Sequence, residues 1–257
     1  MHHVKLALAT VALLLCISFP AQTPVPLAHG DVPGEPHHHL KIENDYVRAY
    51  YVEVAPHEST LLHQHDLDYL YVILGPADII NAVAGKPELH QVLKDGEVHF
   101  TRGGFAHVAR NLGDAPFRNV TIEFLRPQGK VHNLCISVIP NEPPTWLCHF
   151  PRPDAPIAHS SKLFDTDELV AELHSLGPKV RAPGSKAKKG GLLVFHDGSL
   201  VRAELPHKTS MTLKGGDVLW VDAGSRLKII NLKQNASSSY LSLIFKDSAA
   251  SSSSRRR

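Results

Sequence analysis

Apolar and polar residues alternate in short runs along most of the chain after about residue 40. Clear examples are the segments 47–54, 69–74 and 120–125, which are separated by clusters of Gly, Pro, Asp and Asn. Alternation with a period of two is typical of strands with one buried face, and many short strands favour a barrel or a sandwich. The pattern therefore predicts an all-β protein. Only the segment from Asp165 to Leu176 also fits a helix.

A degenerate repeat with an offset of about 120 residues divides the chain into two similar halves. Two glycines and one asparagine of the first half have counterparts in the second: Gly96 and Gly216, Gly104 and Gly224, Asn111 and Asn231. The segment that begins at Glu43 aligns with the one that begins at Asp165, so strands are expected there rather than a helix. A repeat of this length is a duplicated domain and not a solenoid unit. We therefore expect two tandem β-domains.

Three histidines of the first half have spacings that suit a metal site. His63 and His65 are two residues apart in a predicted strand, so their side chains point to the same face. His107 follows the turn at Gly104, and its strand can bring a third imidazole to the same place. Three neutral imidazoles suit iron, copper, nickel or zinc better than magnesium or calcium, which prefer oxygen ligands. We expect one such divalent transition metal.

These motifs resemble those of the cupin superfamily. Its first motif contains HxH followed by a glutamate, and its second reads roughly G-x5-PxG-x2-H-x3-N. The second is matched from Gly96 to Asn111, except that Arg102 stands in the proline position. In the first, the glutamate position holds Tyr69, or Leu70 with the longer spacing. The resemblance implies two cupin-type barrels of the jelly-roll kind, a three-histidine metal site with one more open position, and chemistry like that of the cupin dioxygenases.

The second half lacks the histidines. With the same offset, the three candidate ligands correspond to Ser185, Ala187 and Leu227. The second barrel is therefore not expected to bind a metal in the manner of the family. We expect a bicupin in which a degenerate second barrel acts as a scaffold that packs against the first. Within it, Asp197 and Gly198 predict a tight hairpin.

Several polar residues near the predicted site have a structural as well as a functional interpretation. Tyr69 shares the strand parity of the two histidines and occupies the position of the missing carboxylate. It is the candidate catalytic residue, although most interior tyrosines only fill the core. Asp68 is turned outward by strand alternation, and Arg102 is expected at the surface of the turn. The histidines without a motif are expected at the surface or at the rim of a pocket: His57, His90 and His99.

Charge and the N-terminal segment limit the partners and the location. The chain has 27 Lys and Arg against 25 Asp and Glu, with no basic stripe, so a nucleic-acid partner is not expected. Lys5 precedes an apolar stretch from Leu6 to Phe19, which is typical of an export signal and short for a membrane span. We expect a secreted or periplasmic protein with no membrane contact once the signal is removed.

These features predict an order of segments along the chain. They are a signal peptide (1–21), a Pro- and His-rich arm (22–39), a metal-binding barrel (40–127), a connection with two cysteines (128–160), a degenerate barrel (161–247) and a disordered tail (248–257). The run His37–His39 in the arm is expected to be solvated rather than a metal site. Cys135 and Cys148 form either a disulfide or two buried thiols.

Two classes of function follow from the sequence. The first is metal-dependent, oxygenase-like chemistry on a small molecule. The second is a module that binds a metal or a small ligand without catalysis. A purely structural role predicts no metal in the purified protein. In each case the expected assembly is a monomer or a homodimer.

Overall fold

The computed structural model describes residues 30–132, 158–182, 190–206 and 210–246 in full, and 145–148 and 185–186 by their backbone. The predicted signal peptide, the side chains of the two cysteines and the C-terminal tail lie outside the described residues. Within those residues, no helix is long and apolar enough to cross a membrane.

The described chain consists of short strands and the 3₁₀ turn Val32–Gly34. The strands are β1 (Gly30–Asp31), β2 (His38–Glu43), β3 (Val47–Val54), β4 (His63–His65), β5 (Tyr69–Ile73), β6 (Ala77–Val83), β7 (Leu89–Leu93), β8 (Val98–Thr101), β9 (Phe105–Asn111), β10 (Phe117–Phe124), β11 (Val131–His132), β12 (Thr145–Cys148), β13 (His159–Thr166), β14 (Leu169–Leu176), β15 (Ser185–Lys186), β16 (Gly191–Phe195), β17 (Leu200–Glu204), β18 (Ser210–Lys214), β19 (Val218–Val221), β20 (Arg226–Asn231) and β21 (Ser238–Phe245). The all-β class is confirmed. The segment from Asp165 to Leu176 forms the end of β13 and all of β14, as the repeat predicted.

The strands form four sheets arranged as two pairs. In the first half, a sheet with the order β1-β4-β9-β6-β7 faces one with the order β12-β8-β5-β10-β3-β2. In the second half, a sheet with the order β11-β13-β14-β21-β16-β19 faces one with the order β15-β20-β17-β18. Each pair encloses an apolar cluster with side chains from both of its sheets. The molecule therefore contains two tandem barrels.

A third apolar cluster joins the two barrels. It lies between the two six-stranded sheets and combines side chains from both halves of the chain. The ring centroids of Phe100 and Phe164 are 5.6 Å apart, and those of Phe124 and Phe245 are 6.5 Å apart. Burial of each such ring stabilises the fold by about 1.5–3 kcal/mol. The second barrel therefore covers a face of the first that would otherwise be exposed to water.

Strand pairing is equivalent in the two barrels. His63 of β4 pairs with His107 of β9, and Ser185 of β15 pairs with Leu227 of β20. The glycines at the corresponding turns all have positive φ: Gly96 (78°), Gly104 (93°), Gly216 (85°) and Gly224 (84°). The offset read from the sequence thus relates positions that occupy the same place in each barrel.

Asn111 and Asn231 also occupy equivalent places and make the same bonds. Each side-chain Nδ2 donates to three backbone carbonyls at 2.8–3.1 Å, and each Oδ1 accepts a backbone N–H at 3.0 Å. The carbonyls bound by Asn111 belong to Val54, Ala55 and Ala115, and those bound by Asn231 to Leu176, Gly177 and Ala236. The asparagine of the second motif therefore ties loops together.

The turn at Asp197 and Gly198 differs from the prediction. Gly198 has a φ of 69°, as a tight turn requires. However, β16 and β17, which the turn joins, belong to different sheets. Each of these strands already has a partner on both sides, so neither has an edge free for the other. The expected hairpin is wrong, and the turn carries the chain from one sheet to the facing one.

Candidate metal centre

β4 and β9 bring the three predicted histidines together inside the first barrel. The alternation of β4 turns both His63 and His65 inward, where they are 1% and 2% exposed. Gly104 adopts the positive φ of the turn before β9, and its N–H donates to the carbonyl of His65. This turn sets the register that places His107 directly opposite His63.

The outer nitrogen of His63 lies close to those of the other two rings. Nε2 of His63 lies 3.2 Å from Nε2 of His65 and 3.1 Å from Nε2 of His107. Bonds of about 2.05 Å to a tetrahedral zinc ion would hold the ligand nitrogens about 3.3 Å apart. The two spacings about His63 therefore match those between two ligands of one first-row divalent metal.

The inner nitrogens of two rings are fixed by hydrogen bonds. Nδ1 of His63 lies 2.9 Å from the carbonyl oxygen of Leu61, and Nδ1 of His107 lies 2.7 Å from Oδ1 of Asn81. Because both oxygens only accept, each neutral ring donates from Nδ1 and keeps a lone pair on Nε2. Metal-binding histidines commonly have such partners. Without a cation among them, the Nε2 lone pairs of His63 and His107 would repel at this distance.

Burial keeps these imidazoles neutral. Loss of water, followed by the nearby His38, lowers the pKa of His63 to about 4. Burial and the neighbouring imidazoles lower the pKa of His65 and of His107 well below the ordinary value. All three rings are therefore in the form that binds a metal at neutral pH.

A fourth histidine joins the cluster from β2. One ring nitrogen from each of His38, His63 and His65 lies within 4.8 Å of the other two. The side chain of His38 is 4% exposed. The prediction that the run His37–His39 is solvated is therefore wrong for His38. Because β2 begins within the run, strand alternation sends His38 inward and leaves His39 exposed. That alternation was the signal available in the sequence.

Glu35 holds His38 in place. Its carboxylate is buried and accepts from Nδ1 of His38 at 2.7 Å, from Nδ1 of His37 at 2.8 Å and from the N–H of Leu61 at 3.1 Å. Burial alone would raise the pKa of Glu35, but these hydrogen bonds lower it to about 2. Glu35 is therefore an ionised carboxylate, and the sequence contained no motif that predicted its role.

The ring of Tyr69 lies beside His65. It stacks on His65 with ring centroids 4.0 Å apart and borders the cavity. Glu123 lies behind His65, where its Oε1 is 3.9 Å from Nδ1 of that ring. Burial raises the pKa of Glu123 to about 7, although the nearby Arg48 opposes the shift. Glu123 therefore contacts the inner nitrogen of His65 and not the side on which the Nε2 atoms converge.

The four histidines border a cavity within the barrel. Its solvent-accessible volume is about 50 Å³. Besides the imidazoles, its lining combines aromatic rings with amides and hydroxyls: Tyr69, Tyr71, Phe117, Thr60, Asn81, Gln91, Asn119 and Thr121. A cavity of this size holds a few water molecules.

Asp68 and Arg102 lie outside this cavity and bind each other. Nη1 of Arg102 donates to Asp68 at 2.7 Å, and its Nη2 donates to the carbonyl of Gly129. Asp68 also accepts from the N–H of Gln128 at 3.2 Å. As predicted, Asp68 points away from the histidines, and Arg102 secures the turn of the second motif.

The histidines without a motif take different positions. His57 and His90 lie at the surface and bind carboxylates, as expected. His99 is fully buried, so its predicted position at the surface or a rim is wrong. It stacks on Tyr71, which borders the cavity, with ring centroids 4.5 Å apart. Pairing of β5 with β8 places the two rings side by side.

The second barrel has an apolar interior at the corresponding place. Leu227, which stands where His107 does in the first barrel, packs against a cluster that includes Phe195 and Ile229. The described part of the second barrel therefore has an apolar side chain at the position equivalent to His107.

Comparison with protein-family models and with curated proteins gives no match. Solved structures do match. Salicylate 1,2-dioxygenase from Pseudaminobacter salicylatoxidans has a TM-score of 0.54 at 13% identity, over 78% of this chain and 71% of that chain. AerE from Microcystis aeruginosa has a TM-score of 0.56 at 10% identity, over 83% of this chain and 99% of that chain.

The fold is of the cupin type. A variant of the same salicylate dioxygenase in complex with gentisate matches with a TM-score of 0.57 at 12% identity, over 84% of this chain and 76% of that chain. The predicted architecture of two tandem cupin-type barrels is thereby confirmed. Identities this low relate the folds alone. The histidine cluster within this fold is a candidate metal site.

Proposed function

We propose that this protein is an exported bicupin that carries out metal-dependent, dioxygenase-like chemistry on a small molecule. The metal would be held by His63, His65 and His107 in the first barrel. The observation that carries the proposal is the approach of Nε2 of His63 to Nε2 of His65 at 3.2 Å and to Nε2 of His107 at 3.1 Å, beside a cavity. Hydrogen bonds fix His63 and His107 in the tautomer that such a site needs.

The protein's own residues would bind and orient both the metal and the substrate. A bound divalent ion would supply Lewis acidity and, if it is iron or copper, redox chemistry with dioxygen. Three histidine ligands leave coordination positions open towards the cavity. The stacked ring of Tyr69 fixes the orientation of His65, and its position on the cavity wall suits a contact with substrate.

The lining of the cavity favours a small molecule that carries oxygen groups. Asn81, Gln91, Asn119 and Thr121 place amide and hydroxyl groups on the cavity wall. Oδ1 of Asn81 binds His107, and Thr121 donates to Oδ1 of Asn119 at 2.8 Å, so a ligand would share or replace these bonds. The neutral imidazoles leave the charge of a divalent ion largely uncompensated, and this charge would attract an anionic oxygen. Salicylate and gentisate, which are named with the structural neighbours, are therefore suitable first probes.

The second barrel would serve as the scaffold of the first. The apolar cluster shared by the two barrels supports this role, as does Leu227 at the position equivalent to His107. Lys5 and the apolar stretch that follows it support export. N-terminal sequencing of protein recovered outside the cytoplasm tests export, and an intact Met1 there would contradict removal of a signal peptide.

Metal content is the first test of the site. Elemental mass spectrometry of the untagged mature protein should find about one equivalent of iron, copper, nickel or zinc, since a preformed cluster binds one ion. The double variant His63→Ala/His107→Ala should lose it. The matched control, His57→Ala/His90→Ala, removes two exposed histidines and should keep it. Absence of metal from the wild type after incubation with each ion would refute the site.

Oxygen consumption then separates catalysis from binding. The metal-loaded protein is mixed with salicylate, gentisate and a panel of thiols, and dioxygen uptake is followed with an electrode. Uptake that depends on His63 and on substrate supports the enzyme. Stoichiometric metal without uptake for any substrate, with iron or with copper, would establish a non-catalytic binding module instead.

A further inference from the structure

We propose that His38 is a fourth metal ligand, oriented by Glu35, and that it takes the place of the carboxylate that this cupin site lacks. The inference rests on the proposed metal site and adds to it a ligand from outside the two sequence motifs. It also assigns a function to the segment that precedes the barrel.

The geometry places His38 at the cluster. Its ring centroid lies 4.9 Å from that of His63 and 6.2 Å from that of His65, and both contacts are edge-on. Nδ1 of His38 is bound to Glu35, which leaves Nε2 as the nitrogen available to a metal. One ligand nitrogen from each of these three rings lies within 4.8 Å of the other two. His107 is not in this group and approaches it through the 3.1 Å contact between its Nε2 and that of His63. An ion shared by all four imidazoles would draw these nitrogens closer together.

Glu35 makes His38 a different ligand from the others. The inner nitrogens of His63 and His107 are bound to neutral oxygens, those of Leu61 and Asn81. The inner nitrogen of His38 is bound to a carboxylate at 2.7 Å. A carboxylate in this position makes the imidazole a stronger electron-pair donor to a metal and fixes the orientation of the ring. The negative charge of Glu35 therefore acts on the site through His38. In the cupin motif the glutamate would bind the metal itself.

The N-terminal strap, residues 30–38, is built onto the site. Gly30 pairs in parallel with His63, and the N–H of Gly30 donates to the carbonyl of Leu62 at 3.2 Å. Val32 is buried in the apolar cluster of the first barrel. Glu35 is bound by the N–H of Leu61, just before β4. The strap is therefore held against the strand that carries two of the predicted ligands, and a metal bound by His38 would hold it more firmly.

Three variants of the full chain test the inference. His38→Ala removes the ligand, Glu35→Gln removes the charge behind it, and His39→Ala changes the exposed neighbour in the same run. Glu35→Gln should weaken metal binding about 10–100-fold, the usual loss for an outer partner of a ligand. His38→Ala should weaken it by more than that, and His39→Ala should leave it unchanged. Affinity is measured by competition titration with zinc.

Spectroscopy counts the ligands directly. The Cu(II) form of the wild type should show four coordinated imidazoles by pulsed electron paramagnetic resonance, and His38→Ala should show three. Free imidazole added to His38→Ala should restore the wild-type spectrum. X-ray absorption of the zinc-loaded wild type provides the same count without a variant, so the test stands even if His38→Ala fails to fold.

The outcomes separate the two proposals. If the wild type binds no metal, the proposed metal site fails, and this inference fails with it. If the wild type binds a metal through three imidazoles and His38→Ala has the same affinity and spectrum, only the role of His38 is overturned. Four imidazoles in the wild type, together with the loss of one in His38→Ala, establish the fourth ligand.

Discussion

Replacement of Asn111 with alanine tests whether the asparagine of the second motif stabilises the barrel. Its amide donates to three carbonyls and accepts one N–H, and the residue is 1% exposed, so water cannot replace these bonds. A buried hydrogen bond contributes about 1 kcal/mol, and a buried group left without a partner costs about 1–3 kcal/mol. Since two amide protons and one acceptor are lost, Asn111→Ala should lower the free energy of unfolding by about 3–4 kcal/mol.

The second barrel provides a matched comparison. Asn231 makes the same bonds and also accepts from Oγ of Ser238 at 2.7 Å. Asn231→Ala should therefore destabilise the protein at least as much as Asn111→Ala, while the metal affinity of the folded protein stays unchanged. Asn235 is exposed in a nearby turn, and Asn235→Ala should change the stability by no more than about 0.5 kcal/mol.

Urea unfolding of the metal-free proteins measures these changes. Circular dichroism follows the transition, and both its midpoint and its slope are compared with those of the wild type. A loss of less than about 1 kcal/mol for Asn111→Ala would refute the reasoning, because it would mean that the carbonyls find other partners. A loss for Asn235→Ala as large as for Asn111→Ala would show that the effect is not specific to the buried amide.

Three further predictions concern the site, its turn and the second barrel. Asn81→Leu removes the acceptor for Nδ1 of His107 and should weaken zinc binding about 10–100-fold in a competition titration. An unchanged affinity for zinc would contradict the role of Asn81 in orienting His107. Gly103→Ala should lower the free energy of unfolding, measured in urea, more than Gly104→Ala. The added methyl group at position 103 would lie 2.5 Å from a backbone oxygen, whereas at Gly104 only the φ of 93° is strained. Equal losses of stability in the two variants would contradict this prediction. Burial lowers the pKa of His174 from its ordinary 6.5 to about 4, so its neutral ring stabilises the fold above pH 6.5 and this stability is lost as the pH falls towards 4. His174→Gln should flatten the dependence of the unfolding free energy on pH in that window, and identical slopes would speak against it.

Local pattern was sufficient for the fold class and for two of the histidines. Strand alternation acts between residues i and i+2, so it predicted the strands and placed His63 and His65 on one buried face. The offset between the halves predicted that the segment after Asp165 forms strands, which a local reading left open. Gly104, before β9, marked the turn that brings His107 to the others.

Strand pairing over long distances was not predictable from such patterns. The turn at Gly198 was found from its glycine, but its strands proved to pair with partners elsewhere in the chain. His99 gave no sign of burial, because its environment is made by Tyr71 of a neighbouring strand and by the strands around it. His38 and Glu35 reach the cluster through an edge strand and a parallel contact with β4, and neither has a motif.

The amino-acid sequence by itself determined the β-strands, the duplication and the three histidines of the two motifs. These features depend on side-chain periodicity and on turn residues, whose effects extend over a few positions. Only the tertiary structure decided which strands share a sheet, that the two barrels share an apolar core, and that His38 and Glu35 lie beside the other histidines. Those outcomes depend on contacts between segments far apart in the chain, where burial of apolar surface and pairing of backbone groups choose among many arrangements that the local pattern allows equally.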